Sequence, residues 1–166
     1  KPPYVNQIYR WANNEAVDYN TNGRNKPVAP TVNNSIGQYK RTFTIPEDWD
    51  GRQVFVSFQG VESAFYLYIN GQRVGYAEDS YTVDEFNITD YLQPGENTIA
   101  AEVYRWSTGS YLENQDFIRL SGIFRDVYLY SKNDVELRDF FVTTDLDDTY
   151  TDAVLNLEAS VRSLDP

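Results

Sequence analysis

The residues best suited to chemistry lie in one irregular stretch of the sequence, residues 105–126. It interleaves Trp, Tyr, Arg, Asp, Glu and Ser with glycine at uneven spacing, and it follows neither the helix period nor the strand period. Periodic sequence usually builds a scaffold, whereas irregular sequence rich in these side chains usually forms a loop held for recognition. The stretch therefore predicts a binding loop.

Three pairs of adjacent acidic residues invite comparison with the two carboxylates of a glycosidase. In a retaining enzyme the two carboxyl groups face each other about 5 Å apart. Neighbours on a strand point to opposite faces, so adjacent carboxylates are poorly placed for that chemistry. We therefore expect solvated surface at all three pairs, which are Glu47/Asp48, Glu78/Asp79 and Asp84/Glu85.

Composition excludes several kinds of mechanism. The 166 residues include no Cys and no His, which rules out disulfides, thiol nucleophiles, thiolate zinc sites and Ser-His-Asp triads. The net charge of −11 opposes nucleic-acid binding, which needs clustered Lys and Arg. No apolar run approaches the about 18 residues of a spanning helix. The lack of Cys does not fix the compartment, but it is common in extracellular proteins of Gram-positive bacteria. We therefore expect an extracellular or cell-surface location in a Gram-positive bacterium, with the cytoplasm as the alternative.

The elements that must hold the loop are strands. Val54, Val56 and Phe58 alternate with polar Gln53, Ser57 and Gln59, which indicates a strand. Asn70-Gly71 predicts a type I′ turn between strands at 65–69 and 72–76. A helical turn is expected within 88–92. A strand with Ile99 facing inward is expected just before the loop that begins at residue 105, and another strand is expected at 123–130. Short strands joined by turns predict an antiparallel β-sandwich.

The two ends of the chain differ from this middle part. Residues 1–35 lack periodicity and are expected to wrap over a folded body or to be ordered by other domains. Residues 131–134 look like a boundary, followed by strands at 135–142 and 153–161. Two strands cannot bury a sandwich core, so we expect a truncated second domain. Both termini are expected to be cut edges of a longer protein.

The loop closely resembles the amino-terminal sugar-binding domain of glycoside hydrolase family 2 β-galactosidases. The resemblance is carried by residues 105–126 (RWSTGSYLENQDFIRLSGIFRD), with counterparts in order at 4–6 (YVN), 35–39 (SIGQY), 58–65 (FQGVESAF), 70–80 (NGQRVGYAEDS) and 94–97 (PGEN). It implies an all-β fold. Residues 1–131 would form an antiparallel jelly-roll β-sandwich with an extended segment at 1–35, and residues 132–166 the first strands of an immunoglobulin-like β-sandwich.

The resemblance also implies three pocket residues. In the family, the Asp that matches Asp116 lines the galactose pocket near the C6 hydroxyl and a bound sodium ion, and the early Asn that matches Asn6 hydrogen-bonds a sugar hydroxyl. Val5 adjoins Asn6 and is expected to line the same pocket. A carboxylate suits sugar hydroxyls and a hard cation, and an amide both donates and accepts. The alternatives are that Asp116 braces its own loop and that Asn6 forms a turn.

The other prominent loop residues are expected to be structural. An irregular loop leaves backbone groups unpaired, and Arg and Glu side chains can satisfy several of them at once. For Trp106 and Tyr111, burial under the loop competes with stacking on a sugar. The structural set is Arg105, Glu113, Arg119 and Arg125.

The function implied by the resemblance is that of an accessory domain in a retaining β-galactosidase. The family's two catalytic Glu residues belong to a (β/α)₈ barrel absent from this chain, so the fragment alone is expected to be inactive and to contain no catalytic residue. Sodium at Asp116, and magnesium in the parent enzyme, are the cofactors implied; the partners are a β-galactoside and the missing barrel. The alternatives are a self-sufficient carbohydrate-binding module and a purely structural or oligomerisation domain.

Overall fold

The computed structural model describes Ala29, residues 34–113 and residues 120–164. Strands dominate these residues, and every strand pair is antiparallel. In chain order the strands are β1 Ile36–Thr44, β2 Gln53–Phe58, β3 Val61–Glu62, β4 Ala64–Ile69, β5 Gln72–Glu78, β6 Asp84–Asn87, β7 Glu96–Tyr104, β8 Gly122–Ile123, β9 Val127–Lys132, β10 Val135–Leu146 and β11 Ala153–Ser163. Single helical turns lie at Glu47–Trp49, Thr89–Tyr91 and Gly109–Leu112.

Two sheets pack face to face around the core. One has the order β1-β7-β4-β5 and the other β6-β2-β9, while β3-β8 and β10-β11 form separate pairs. Phe58 of the second sheet meets Phe65 of the first with ring centroids 4.7 Å apart. Burial alternates along much of β4 and β7, as period-two patterning requires, whereas every residue from Val54 to Phe58 in β2 is buried. The predicted all-β antiparallel sandwich is confirmed.

The predicted hairpin turn is also confirmed. Asn70 and Gly71 have φ of 50° and 79°, the left-handed values that both central residues of a type I′ turn require. The Asn70 amide donates to the Tyr91 carbonyl (2.9 Å) and to Asn97 Oδ1 (2.7 Å). The turn is thereby joined to the helical turn Thr89–Tyr91, which was expected within 88–92.

The strand expected at 123–130 is interrupted. Gly122–Ile123 pairs with β3, whereas Val127–Lys132 pairs with β2. The intervening residues 124–126 bridge the two partners, with Phe124 N–H donating to the Gly60 carbonyl (3.2 Å). The chain thus changes partner strand, which periodicity alone does not reveal.

Strands β10 and β11 form an amphipathic two-stranded ribbon. Whereas Phe141 lies on one face of β10, a register shift between Leu137 and Asp139 keeps most apolar residues of this strand on the other. That face is solvent-exposed along its whole length in the described chain; its larger apolar members are Val135, Leu137, Phe140, Val142, Leu146, Leu155, Leu157 and Val161. In the described parts of the chain, no helix has the length and apolar character needed to cross a membrane.

Candidate functional site

The candidate site is the loop between β7 and β8, together with the sheet surface beside it. Residues 105–113 and 120–121 of the loop are described, and they show how it is anchored. The three predicted pocket residues, Val5, Asn6 and Asp116, lie outside the described residues. Their placement in a pocket stays a prediction.

The start of the loop is tied to the residues before β1. Asn34 Nδ2 donates to the Trp106 carbonyl (2.8 Å), and Trp106 N–H donates to Asn34 Oδ1 (3.0 Å). Arg105 N–H donates to the Ser35 carbonyl (3.0 Å). A side-chain amide that pairs with a backbone amide imitates one more step of a β-ladder. The β1–β7 pairing is therefore continued into the loop.

Glu78, at the end of β5, holds the next residues of the loop. Its carboxylate accepts from Thr108 Oγ1 (2.9 Å) and from Gly109 N–H (3.2 Å). Burial alone would raise the pKa of Glu78, but the donors around it outweigh this effect and the pKa is lowered; they are Gly109 N–H and the hydroxyls of Ser107, Thr108 and Tyr76. The expectation that Glu78/Asp79 is solvated surface is wrong for Glu78, because this carboxylate is an ionised anchor of the loop.

A second carboxylate braces the far side of the same turn. Glu113 accepts from the Ser80 hydroxyl (2.6 Å) and the Ser80 N–H (3.0 Å). Ser80 is buried, so water cannot hydrogen-bond to its N–H and hydroxyl, and Glu113 satisfies both groups instead. The structural role predicted for Glu113 is confirmed.

The exit of the loop is held by Glu62, a charged residue that is only 2% exposed. Its carboxylate accepts from Leu120 N–H (2.7 Å) and Ser121 N–H (3.0 Å). Charge-assisted bonds of this kind are stronger than neutral ones. Ser121 and Gly122 have φ of 55° and 86°, so the chain turns sharply here before it joins β3. Sequence reasoning did not single out Glu62.

Arg125, just after β8, links two other loops of the sandwich. Its Nη1 donates to the carbonyls of Gln59 and Tyr81, each at 3.1 Å. One guanidinium thus satisfies two loop carbonyls, as predicted for the arginines of this stretch. The loop that contains Asp116 is fixed at its start, at its first turn and at its exit.

A hollow of about 510 Å³ opens beside the first turn of the loop, on the outer face of the four-stranded sheet. The strand register places Ala64 between Glu78 and Tyr104, and in the next row Tyr66 lies opposite Tyr76. Ala64 carries only a methyl group and forms the floor. Walls come from the three tyrosines and from Asn34, Ile36, Trp106, Ser107 and Thr108.

Sequence reasoning missed the hollow. The sequence feature that could have indicated it is the presence of aromatic residues at strand positions that face away from the core, such as Tyr66 next to buried Phe65.

A second cleft, of about 600 Å³ and mostly apolar, lies between the edge strands β1 and β9. Across the described residues, no three acidic side chains converge as a metal site would require.

Comparison with known proteins identifies the family. Residues 4–133 match the profile described as glycosyl hydrolases family 2, sugar binding domain. The chain belongs to glycosyl hydrolase family 2. The matched residues include the sandwich, the loop and the three predicted pocket residues. The Val5–Asn6 and Asp116 positions thus belong to the family's sugar-binding domain.

The relatives of this family 2 chain are much longer proteins. It is 55% identical to a β-galactosidase of Priestia megaterium over 96% of the chain and 15% of the relative, and 44% identical to that of Clostridium acetobutylicum over 95% and 17%. A crystal structure of Bacteroides uniformis β-glucuronidase aligns with a TM-score of 0.66 at 27% identity, over 78% of this chain and 16% of that one. The chain spans about a sixth of these proteins.

Proposed function

We propose that this chain is the sugar-binding accessory domain of a retaining β-galactosidase, which hydrolyses terminal β-D-galactosides. The 55% identity to a β-galactosidase over nearly the whole chain carries the proposal. The catalytic carboxylates belong to a barrel elsewhere in the parent protein, and this chain contributes no catalytic residue. Its contribution is to hold groups against the sugar.

Asp116, Asn6 and Val5 are the groups contributed. Asp116 accepts hydrogen bonds near the C6 hydroxyl, Asn6 binds another hydroxyl, and Val5 lines the wall. The anchoring of the Asp116 loop by Glu78, Glu113 and Glu62 supports this role, because a group that positions a substrate must itself be positioned.

Sodium is the cofactor we assign to Asp116, and magnesium to the parent enzyme outside this chain. A carboxylate oxygen is the hard ligand that a hard cation prefers. The proposal predicts that sodium activates the parent and that Asp116→Asn removes this activation. An extracellular or cell-surface location, with the cytoplasm as the alternative, stays a prediction that cell fractionation tests.

Asp116→Asn in the parent enzyme tests the proposal. Loss of a charged, positioned contact should lower kcat/KM on the order of 100-fold, because such contacts act mainly in the transition state. The melting temperature should stay unchanged. Asp148→Asn, in the exposed turn between β10 and β11, is the matched control and should leave both quantities unchanged. Full activity in Asp116→Asn would instead support a purely structural domain.

A further inference from the structure

The hollow on the outer sheet face has the chemistry of a saccharide site. Three of its walls are tyrosine rings set at different angles. Tyr66 lies 4.8 Å from Tyr76 at 45° and 5.9 Å from Tyr104 at 81°, measured between ring centroids. Arg73 covers the Tyr66 ring at 4.3 Å. Rings of this kind offer faces for the C–H surface of a sugar and hydroxyls for its polar edge.

The polar side of the hollow contains an unsatisfied group. Ser107 is 5% exposed, and its hydroxyl makes no hydrogen bond of normal geometry within the described chain. It lies near enough to Glu78 to help lower the pKa of that carboxyl, whose desolvation acts the other way. A buried hydroxyl whose contact with a carboxylate is poorly aligned keeps unused bonding capacity, which native proteins rarely leave in their interior. A ligand hydroxyl in the hollow would supply the missing bond.

The neighbouring groups keep defined protonation states. Burial, and then the Glu78 carboxylate, raise the pKa of Tyr76, so its phenol keeps its proton near neutral pH and directs it to Glu78. Tyr76 is also 42% exposed, which leaves its ring accessible from solvent. The hollow therefore offers two acceptors, the Tyr76 phenol oxygen and the Glu78 carboxylate, and the poorly bonded Ser107 hydroxyl beside its aromatic walls.

The charge of the lining selects among ligands. The described lining includes the carboxylate of Glu78 and no Lys or Arg side chain. A phosphate, a nucleotide or a uronic acid would be repelled by this carboxylate, and Arg73, the cation over the Tyr66 ring, is not among the lining residues. The net charge of −11 further disfavours nucleic acid as a ligand. A neutral ligand with several hydroxyls fits both the aromatic walls and the polar side.

We propose that this hollow is an additional binding site for a neutral saccharide, built on Tyr66, Tyr76, Tyr104 and Ser107 rather than on Asn6, Val5 and Asp116. The sandwich would then hold a sugar unit through its own sheet face. The proposal rests on the proposed function only for the choice of galactosides as probes.

The test is a titration of the full-length parent after a covalent galactoside inactivator has blocked its catalytic centre. Lactose and methyl β-galactoside are added up to tens of millimolar, and binding is followed by saturation-transfer NMR and by tryptophan fluorescence, since Trp106 lines the hollow. We expect saturable binding in the low millimolar range, about 1–10 mM. Glucuronate should bind at least tenfold more weakly.

Two variants and a control locate the binding. Ser107→Ala removes the poorly bonded hydroxyl but keeps the Ser107 N–H bond to Ser110 Oγ, and Tyr76→Ala removes an exposed ring. Each should weaken binding at least fivefold at an unchanged melting temperature. Tyr150→Ala, an exposed tyrosine in the turn between β10 and β11, should leave binding unchanged.

Two results would overturn the proposal. One is no saturable binding by the inactivated parent, which would mean that the hollow is covered or unused. The other is binding that the hollow variants and the control leave equally strong. If the inactivator does not label the parent, the β-galactosidase proposal fails by itself, and the same titration of unlabelled protein still tests the hollow.

Discussion

At the scale of single residues, three glutamates decide the shape of the loop that contains Asp116. Glu78 and Glu113 hold its first turn, and Glu62 holds its exit. Sequence reasoning assigned the structural role correctly to Glu113, missed Glu62 and placed Glu78 at the solvated surface. Which backbone N–H group approaches a carboxylate is set by tertiary contacts up to 59 residues apart in the chain, so residue type alone cannot assign these roles.

Glu62→Gln tests the exit anchor. Leu120 N–H and Ser121 N–H both donate to the same oxygen of Glu62. The amide can still accept them but without the negative charge, so we expect the free energy of unfolding of this chain to fall by about 1–3 kcal/mol. Amide exchange at Leu120 and Ser121 should accelerate. Glu158→Gln on exposed β11 is the control and should change neither quantity. Unchanged protection at both amides would show that Glu62 is not the anchor.

At the scale of elements, the patterns that are local in sequence were predictable. The Asn70-Gly71 hairpin, the helical turn after β6 and the inward residues of β2 and β7 follow from turn chemistry and period-two alternation. The break between β8 and β9 was not predictable, since it arises because β8 and β9 have different partners. Partner choice is not a local property.

Strand β6 contains a carboxyl that opposes folding at neutral pH. Burial, helped by nearby Asp79, raises the pKa of Asp84 from its ordinary value of 3.8 to about 6. Well below pH 3.8 the carboxyl is neutral in both the folded and the unfolded state, and its burial then carries no cost of ionisation. Above pH 6 it is ionised in both, and the folded state bears the full desolvation cost. Its contribution to stability therefore falls as the pH rises from about 4 to about 6.

Asp84→Asn should remove this cost. At pH 7 we expect the variant to be more stable by about 1 kcal/mol, a value reduced for the partial exposure of the side chain. The difference between variant and wild type should vanish near pH 4. Urea unfolding at pH 4, 5, 6 and 7 measures it, with Asp148→Asn as the control. A stability difference independent of pH would rule out Asp84 titration as the cause.

At the scale of the whole molecule, the sequence predicted the class of fold and the family. Turn residues and alternating apolar residues along the chain indicated the fold, and the sequence motif of residues 105–126 indicated the family. It did not predict the hollow. Tyr66, Tyr76 and Tyr104 come from three strands that are neighbours only in the folded sheet. The pocket positions of Asn6, Val5 and Asp116 remain predictions.

The β10–β11 ribbon bears on the second domain expected at 132–166. We propose that it begins an immunoglobulin-like sandwich, since an isolated two-stranded ribbon with an exposed apolar face is marginally stable. Its amides should exchange faster than those of β4 and β7 in this chain, and should become protected in the full-length parent. Equal protection of the ribbon in both proteins would argue against further strands that cover it.

The most direct test of the central claim is a thermodynamic cycle in the parent enzyme. It compares kcat/KM for a β-galactoside and for its 6-deoxy analogue, in wild type and in Asp116→Asn. If Asp116 contacts the C6 hydroxyl region, the substitution should cost on the order of 100-fold with the galactoside and much less with the analogue, a coupling of about 1–3 kcal/mol. Equal losses with both substrates would contradict a sugar contact by this domain.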